Sequence, residues 1–242
     1  MKHIKKGEPP GELIAWAAAN AGLPSLQYGD GGFPHAVVHQ ALIAEQGGIC
    51  AYTMVSINED KSHIEHLKPQ AVSRAERNFP ETANYQNIVA CFPKRHVAGK
   101  PKYKFGAIFR EDAWDSLKFV SPLNTACEMR IRFGTDGTIR PWRSTDTGAV
   151  WTIQILGLDE SVLTEWREAA IEARGLSLLA DDPLPKKDVE RIIEHICDRD
   201  SDGNFVPYCV AIKHAAEEFL GRLEKKAKQK KYARASRKQR RK

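Results

Sequence analysis

Ser62-His63-Ile64-Glu65-His66-Leu67-Lys68-Pro69 is the stretch that decides how this chain is read. It sets a carboxylate beside one imidazole and a second imidazole three residues away, and a proline then stops a strand-like run. Imidazole and carboxylate at such spacing can do acid/base work and hold a metal ion. Residues 61–66 read as a strand, and adjacent residues of a strand face opposite ways, so Glu65 and His66 diverge.

Working outward, residues 49–53 (Ile-Cys-Ala-Tyr-Thr) read as a short strand. Residues 67–83 form a polar loop, and the apolar run Ile88-Val89-Ala90-Cys91-Phe92 is the second strand of a hairpin. Pro93 opens a short helix through Lys94, Arg95, His96 and Val97. Upstream, a helix from about Glu12 carries Leu13, Trp16 and Ala17 on one face, and a second carries Ala36, Val37, Gln40, Ala41 and Ala44 before Gly47-Gly48. His35 and His39 stand one helical turn apart, but with no acidic or cysteine companion nearby they are not expected to bind metal.

Downstream, residues 119–123 and 129–133 read as strands, the latter paired through the Thr135-Asp136-Gly137 turn with residues 138–140. Residues 159–174 read as a helix with Val162, Leu163, Trp166 and Ala170 on one face, and residues 186–197 and 205–223 as further helices. There is no internal repeat.

The chain has 242 residues, enough to bury a core without a metal or disulfide staple. Its five cysteines are odd in number and scattered, which fits reduced thiols, the last three as small buried hydrophobes. No run approaches the roughly 18 apolar residues of a membrane helix and no apolar signal segment follows the charged N-terminus, so a cytoplasmic protein is expected. The formal charge of +6 is uneven: residues 225–242 hold 11 Lys/Arg and no acid, leaving 26 basic against 31 acidic side chains, a net of −5, in the rest. This tail (Lys225, Lys226, Lys228, Lys230, Lys231, Arg234, Arg237, Lys238, Arg240, Arg241) is expected to be disordered or frayed helix, attracted to phosphate backbones by counterion release.

Phosphodiester hydrolysis needs a neutral imidazole to deprotonate water, a divalent cation to hold phosphate, and a group that orients the base. If the hairpin and short helix bring them together, His66 fits the base, Glu65 and His96 fit metal ligands, and Asn87 fits the orienter. Taken singly, any of these residues is more often structural, and His63 reads as a strand residue facing solvent or an ion-pair partner.

Glu65-His66-Leu67-x-Pro69, then Asn87, then His96, resembles the ββα-metal motif of HNH nucleases. With residues 1–10, 45–52, 63–70, 84–87 and 133–139, the chain over roughly residues 1–175 resembles the PtuB-type HNH subunit of Septu and retron-linked antiphage systems. That resemblance implies an α+β protein: a ββα-metal (HNH) module at residues 49–105 embedded in a mainly helical body, with an N-terminal helical segment at 1–48, a small additional β-hairpin and helices at 106–224, and the basic tail at 225–242. It implies a Mg²⁺- or Mn²⁺-dependent DNA endonuclease in which His66 is the general base, Glu65 and His96 hold the ion, Asn87 orients the base, and His63 supports. It further implies an ABC/SMC-like ATPase partner (PtuA-like) and, in some systems, a retron reverse transcriptase with its DNA.

One departure stands out. Many HNH proteins carry two Cys-x-x-Cys pairs that hold zinc, whereas here Thr53 replaces the second cysteine after Cys50. Phe92 and Arg95 stand where thiolates belong, and Cys91 is one residue out of register. A closed structural zinc site needs four N or S donors and is not expected, so flanking hydrophobic packing has to replace it. The divergence leaves two alternatives: a catalytically decayed HNH-fold binding or regulatory subunit, and a tail-driven RNA-binding protein.

Overall fold

The computed structural model describes residues 1–23, 25–94, 103–176 and 184–239, and for residues 230, 231 and 233–239 the backbone. The expected short helix after Pro93, with His96, lies outside the described residues from residue 95 on, as do Arg240 and Arg241.

The chain is α+β, with helices around two small antiparallel hairpins. Helix α1 (Gly11–Ala19) buries Leu13 and Trp16, and α2 (His35–Glu45) buries Val38 and Leu42. The first hairpin pairs β1 (His63–His66) with β2 (Ile88–Cys91), placing His63 opposite Cys91 and His66 opposite Ile88. Every residue of β2 is buried, which is why its sequence is an unbroken apolar run, whereas β1 alternates with polar side chains. The connection holds α3 (Gln70–Ala75) and a 3₁₀ turn at Phe79–Ala83, where a polar loop was expected.

After α4 (Ala107–Arg110), α5 (Cys127–Arg130) leads into the second hairpin, β3 (Ile131–Phe133) with β4 (Ile139–Pro141). Around it pack α6 (Thr147–Ile155), α7 (Ser161–Glu172), α8 (Lys186–His195) and the 31-residue α9 (Cys209–Gln239). No helix among the described residues is long and apolar enough to cross a membrane.

Several expectations are corrected. Residues 49–53 are not a strand: Ile49 makes a single bridge to Ser56, the chain turns at Met54 (φ 62°), and Cys50 N–H donates to Val55 O at 2.8 Å. Residues 119–123 are not a strand either, because Val120 N–H is taken by Thr152 Oγ1 at 2.8 Å and Pro122 O accepts from Ile4 N–H. Helix α7 buries Leu163 and packs Val162, Trp166 and Ala170 against the core as expected, and it also buries Arg167 and Ile171. Arg167 can be buried because its guanidinium donates to Gly137 O, Leu158 O and Thr164 Oγ1. The basic segment, expected to be disordered or frayed, continues α9 as helix to Gln239.

Candidate active site

The site is built where β1 ends. His66, buried at 5% exposure, has Nε2 2.7 Å from Thr82 O. A carbonyl only accepts, so Nε2 carries the proton and Nδ1 presents its lone pair. Gln70 Nε2 donates to that Nδ1 over a long 3.3 Å. Gln70 is fixed in this sense because its Oε1 accepts from Arg74 at 2.7 Å, and Arg74 in turn donates to Gln27 Oε1. The Tyr28 ring meets the imidazole edge-on at 4.7 Å, and Tyr28 N–H donates to Thr82 Oγ1. His66 therefore has a defined tautomer and a defined ring plane, and it lines a cleft of about 230 Å³ together with Glu65, Gln70, Arg74 and Arg110 among others.

Asn87 does not touch His66 among the described contacts. Its Oδ1 accepts from Lys68 N–H at 2.8 Å, and its Nδ2 donates to Lys68 O and Glu81 O at 3.1 and 3.2 Å. Leu67 N–H donates to Asn87 O. Asn87 thus clamps the end of β1 to the turn that presents Thr82 O, so any hold on the imidazole runs through the backbone.

Glu65, the preceding residue of β1, lines the same cleft as His66. Its Oε1 accepts from Arg110 at 2.5 Å, and Arg110 also donates to His66 O and Leu67 O. Nothing in the sequence marked Arg110, which lies 45 residues downstream in a stretch of mixed polarity. Glu65 Oε2 lies 3.6 Å from His63 Nε2. His63 Nδ1–H donates to Pro93 O at 2.6 Å, which leaves Nε2 as a lone pair, buried and without a hydrogen-bond partner among the described residues. Of the two expectations for this imidazole, solvent-facing or ion-pair partner, the structure gives the second: His63 is half-buried and oriented beside the Glu65 carboxylate. A carbonyl-anchored imidazole with a carboxylate neighbour is the usual arrangement of a metal-binding histidine.

These two donors fit a divalent cation but do not complete its shell: among the described residues no group of three His, Cys, Asp or Glu side chains is placed to hold one. His96, the further ligand expected from sequence, lies outside the described residues. His35 and His39 do not act together, for His35 Nδ1 meets Tyr28 Oη at 3.1 Å and His39 Nε2 meets Ser62 Oγ at 2.9 Å.

Behind the hairpin, Cys50 and Cys91 are both buried, each shifting the other's thiol. Cys50 Sγ also accepts from Phe92 N–H at 3.3 Å. Two thiols are half the donors of a closed zinc site. A buried amide ties the turn to β2: Gln46 Nε2 donates to Ile49 O and Ala90 O, and Gln46 Oε1 accepts from Ala90 N–H at 2.7 Å.

No family model matches the chain. It is 28% identical over 144 residues to a protein of Vibrio cholerae serotype O1 biovar El Tor named "Retron Vc95 putative HNH endonuclease", a match covering 56% of this chain and 64% of that protein. The chain thus spans less than two thirds of the relative's length.

Proposed function

We propose that the chain is an HNH endonuclease that hydrolyses phosphodiester bonds in DNA with Mg²⁺ or Mn²⁺, acting in the cytoplasm in antiphage defence beside an ABC/SMC-like ATPase subunit and, in retron-linked systems, a reverse transcriptase with its DNA. The observation that carries the catalytic part is the pinned tautomer of His66 at the edge of the cleft: Nε2–H held by Thr82 O, with Nδ1 the acceptor of the long Gln70 contact. Nδ1 takes the proton of the attacking water, displacing the long Gln70 contact. The imidazolium that results keeps its Nε2–H bond to Thr82 O, so the charged state is stabilised by the same carbonyl that set the tautomer. Arg74, exposed at the mouth and paired with no carboxylate among the described residues, supplies a cation to the phosphate.

Glu65 and His63, with His96, would hold the divalent ion, which when bound supplies charge neutralisation at phosphate and leaving oxygen. The basic end of α9, including Lys225, Lys226 and Lys228, adds attraction for the DNA backbone. A second reading, a catalytically decayed subunit that binds without cutting, is favoured by the Arg110 pair, which already occupies one oxygen of Glu65.

The test is nicking of supercoiled plasmid with Mg²⁺ or Mn²⁺, with and without the ATPase partner, comparing the native chain with His66→Ala. Metal-dependent nicking lost in the variant is expected. Equal nicking by both proteins contradicts the role of His66, and binding without nicking under every condition selects the decayed reading.

A further inference from the structure

The second hairpin carries a surface that the nuclease site does not use. Ile131 and Phe133 of β3 turn into the core at 1% and 2% exposure, so the residues between and beyond them turn outward. The register sets Arg132 directly opposite Arg140. A further backbone bond, Trp142 N–H to Arg130 O at 2.8 Å, carries the pairing on by one step. Like charges directly opposed on a hairpin destabilise it, and an indole left 49% exposed forgoes burial. This face is therefore not arranged for the stability of the chain alone.

Its details suit a planar, anionic ligand. The Arg132 guanidinium lies over the Trp142 ring at 4.8 Å, held there by Glu217 at 2.7 Å, so the indole is backed on one side. Trp142 borders an open groove of about 610 Å³ between the hairpin and the first turns of α9, and Arg143 and Lys213 line the same groove. Asp146 is engaged by Arg130 in a two-pronged pair and Glu217 by Arg132. No carboxylate among the described residues pairs with Arg140, Arg143 or Lys213.

We infer that the β3–β4 face binds single-stranded nucleic acid, one base stacking on Trp142 while Arg140, Arg143 and Lys213 take the flanking phosphates. An unpaired strand is required because a base within a duplex cannot offer its face to a side chain. Three uncompensated cations around an exposed indole are the complement of a base flanked by phosphates; an acidic peptide would use the cations and leave the indole idle. The inference takes its ligand class from the nuclease reading, yet the surface is separate from the His66 cleft, so binding and cutting fail independently.

The measurement uses the full chain carrying His66→Ala, titrated with a fluorescein-labelled oligothymidylate and read by anisotropy and tryptophan fluorescence. Saturable quenching that disappears in Trp142→Phe is expected, with affinity at least fivefold weaker in Trp142→Ala. Because Trp142 is half-exposed, both variants should keep the circular dichroism of the parent. The pair Arg140→Glu with Arg143→Glu should lower the slope of log affinity against log salt by roughly one to two. An oligouridylate arm reports whether DNA or RNA is preferred, and binding of either supports the inference. Unchanged affinity in Trp142→Ala overturns it, and so does displacement of the oligonucleotide by polyglutamate at equal charge, which would make the face a protein-docking surface.

Discussion

Arg110→Ala is the perturbation whose size the structure fixes best. The guanidinium is fully buried, Glu65 is nearly so, and the same side chain serves the carboxylate and the carbonyls of His66 and Leu67. Removing it takes the guanidinium partner from a buried anion and from two backbone acceptors, and breaking a buried pair from one side costs about 3–5 kcal/mol. For a chain of this length that corresponds to a fall in Tm of about 6–20 °C. Urea unfolding followed by circular dichroism measures the loss. The double variant Glu65→Gln, Arg110→Leu should recover at least half of it, since the uncompensated charge is gone and only carbonyls remain unpaired. A single-variant loss under about 1 kcal/mol, or a double variant no better than the single, would refute the buried-pair reasoning.

Other consequences follow from the same geometry. Asn87→Ala removes three side-chain hydrogen bonds that clamp Lys68 to the Thr82 turn, and kcat for cleavage should fall on the order of 10²-fold with KM little changed; an unaltered kcat would mean the turn holds without it. Gly137→Ala should cost about 3 kcal/mol or more in urea unfolding, since φ is +73° and a Cβ would lie 2.2 Å from Thr164 O, a backbone atom. His214 is held neutral, its pKa pushed down to about 3 chiefly by burial, with Arg132 adding to the effect. Because the unfolded chain binds that proton and the folded chain does not, its contribution to stability is full above pH ~6.5 and is lost as pH falls toward 3, at up to about 1.4 kcal/mol per unit. His214→Gln should flatten that part of the pH–stability curve, and parallel curves for the two proteins would contradict it.

Much of the scaffold was legible because pattern and burial agree. Residues 88–91 of the apolar run become the wholly buried β2, and the Asp136-Gly137 turn joins β3 to β4. Where reading failed, hydrogen bonds outside a strand ladder had taken the backbone groups, locally at residues 49–53 and over long range at 119–123. Val120 gives its amide to Thr152 and Pro122 its carbonyl to Ile4 instead of to a neighbouring strand, and buried Arg167 on α7 adds to the apolar face without any mark in the sequence. In the site, the Glu-His order and Asn87 announce themselves by spacing. Arg110 and the Thr82 carbonyl do not, since a buried arginine looks like a surface one in sequence and a backbone acceptor has no letter of its own. His63 was undervalued for a related reason: its orientation depends on Pro93 O, delivered by the cross-strand partner segment.

The claim on which the rest depends is that His66 Nδ1 accepts the proton of the attacking water. Chemical rescue tests it most directly: His66→Gly is assayed for metal-dependent plasmid nicking with and without added imidazole. The account predicts a variant inactive alone and restored in proportion to imidazole concentration, while Asn87→Ala under the same conditions gains nothing. A His66→Gly protein that nicks as well as the native chain without imidazole would contradict it.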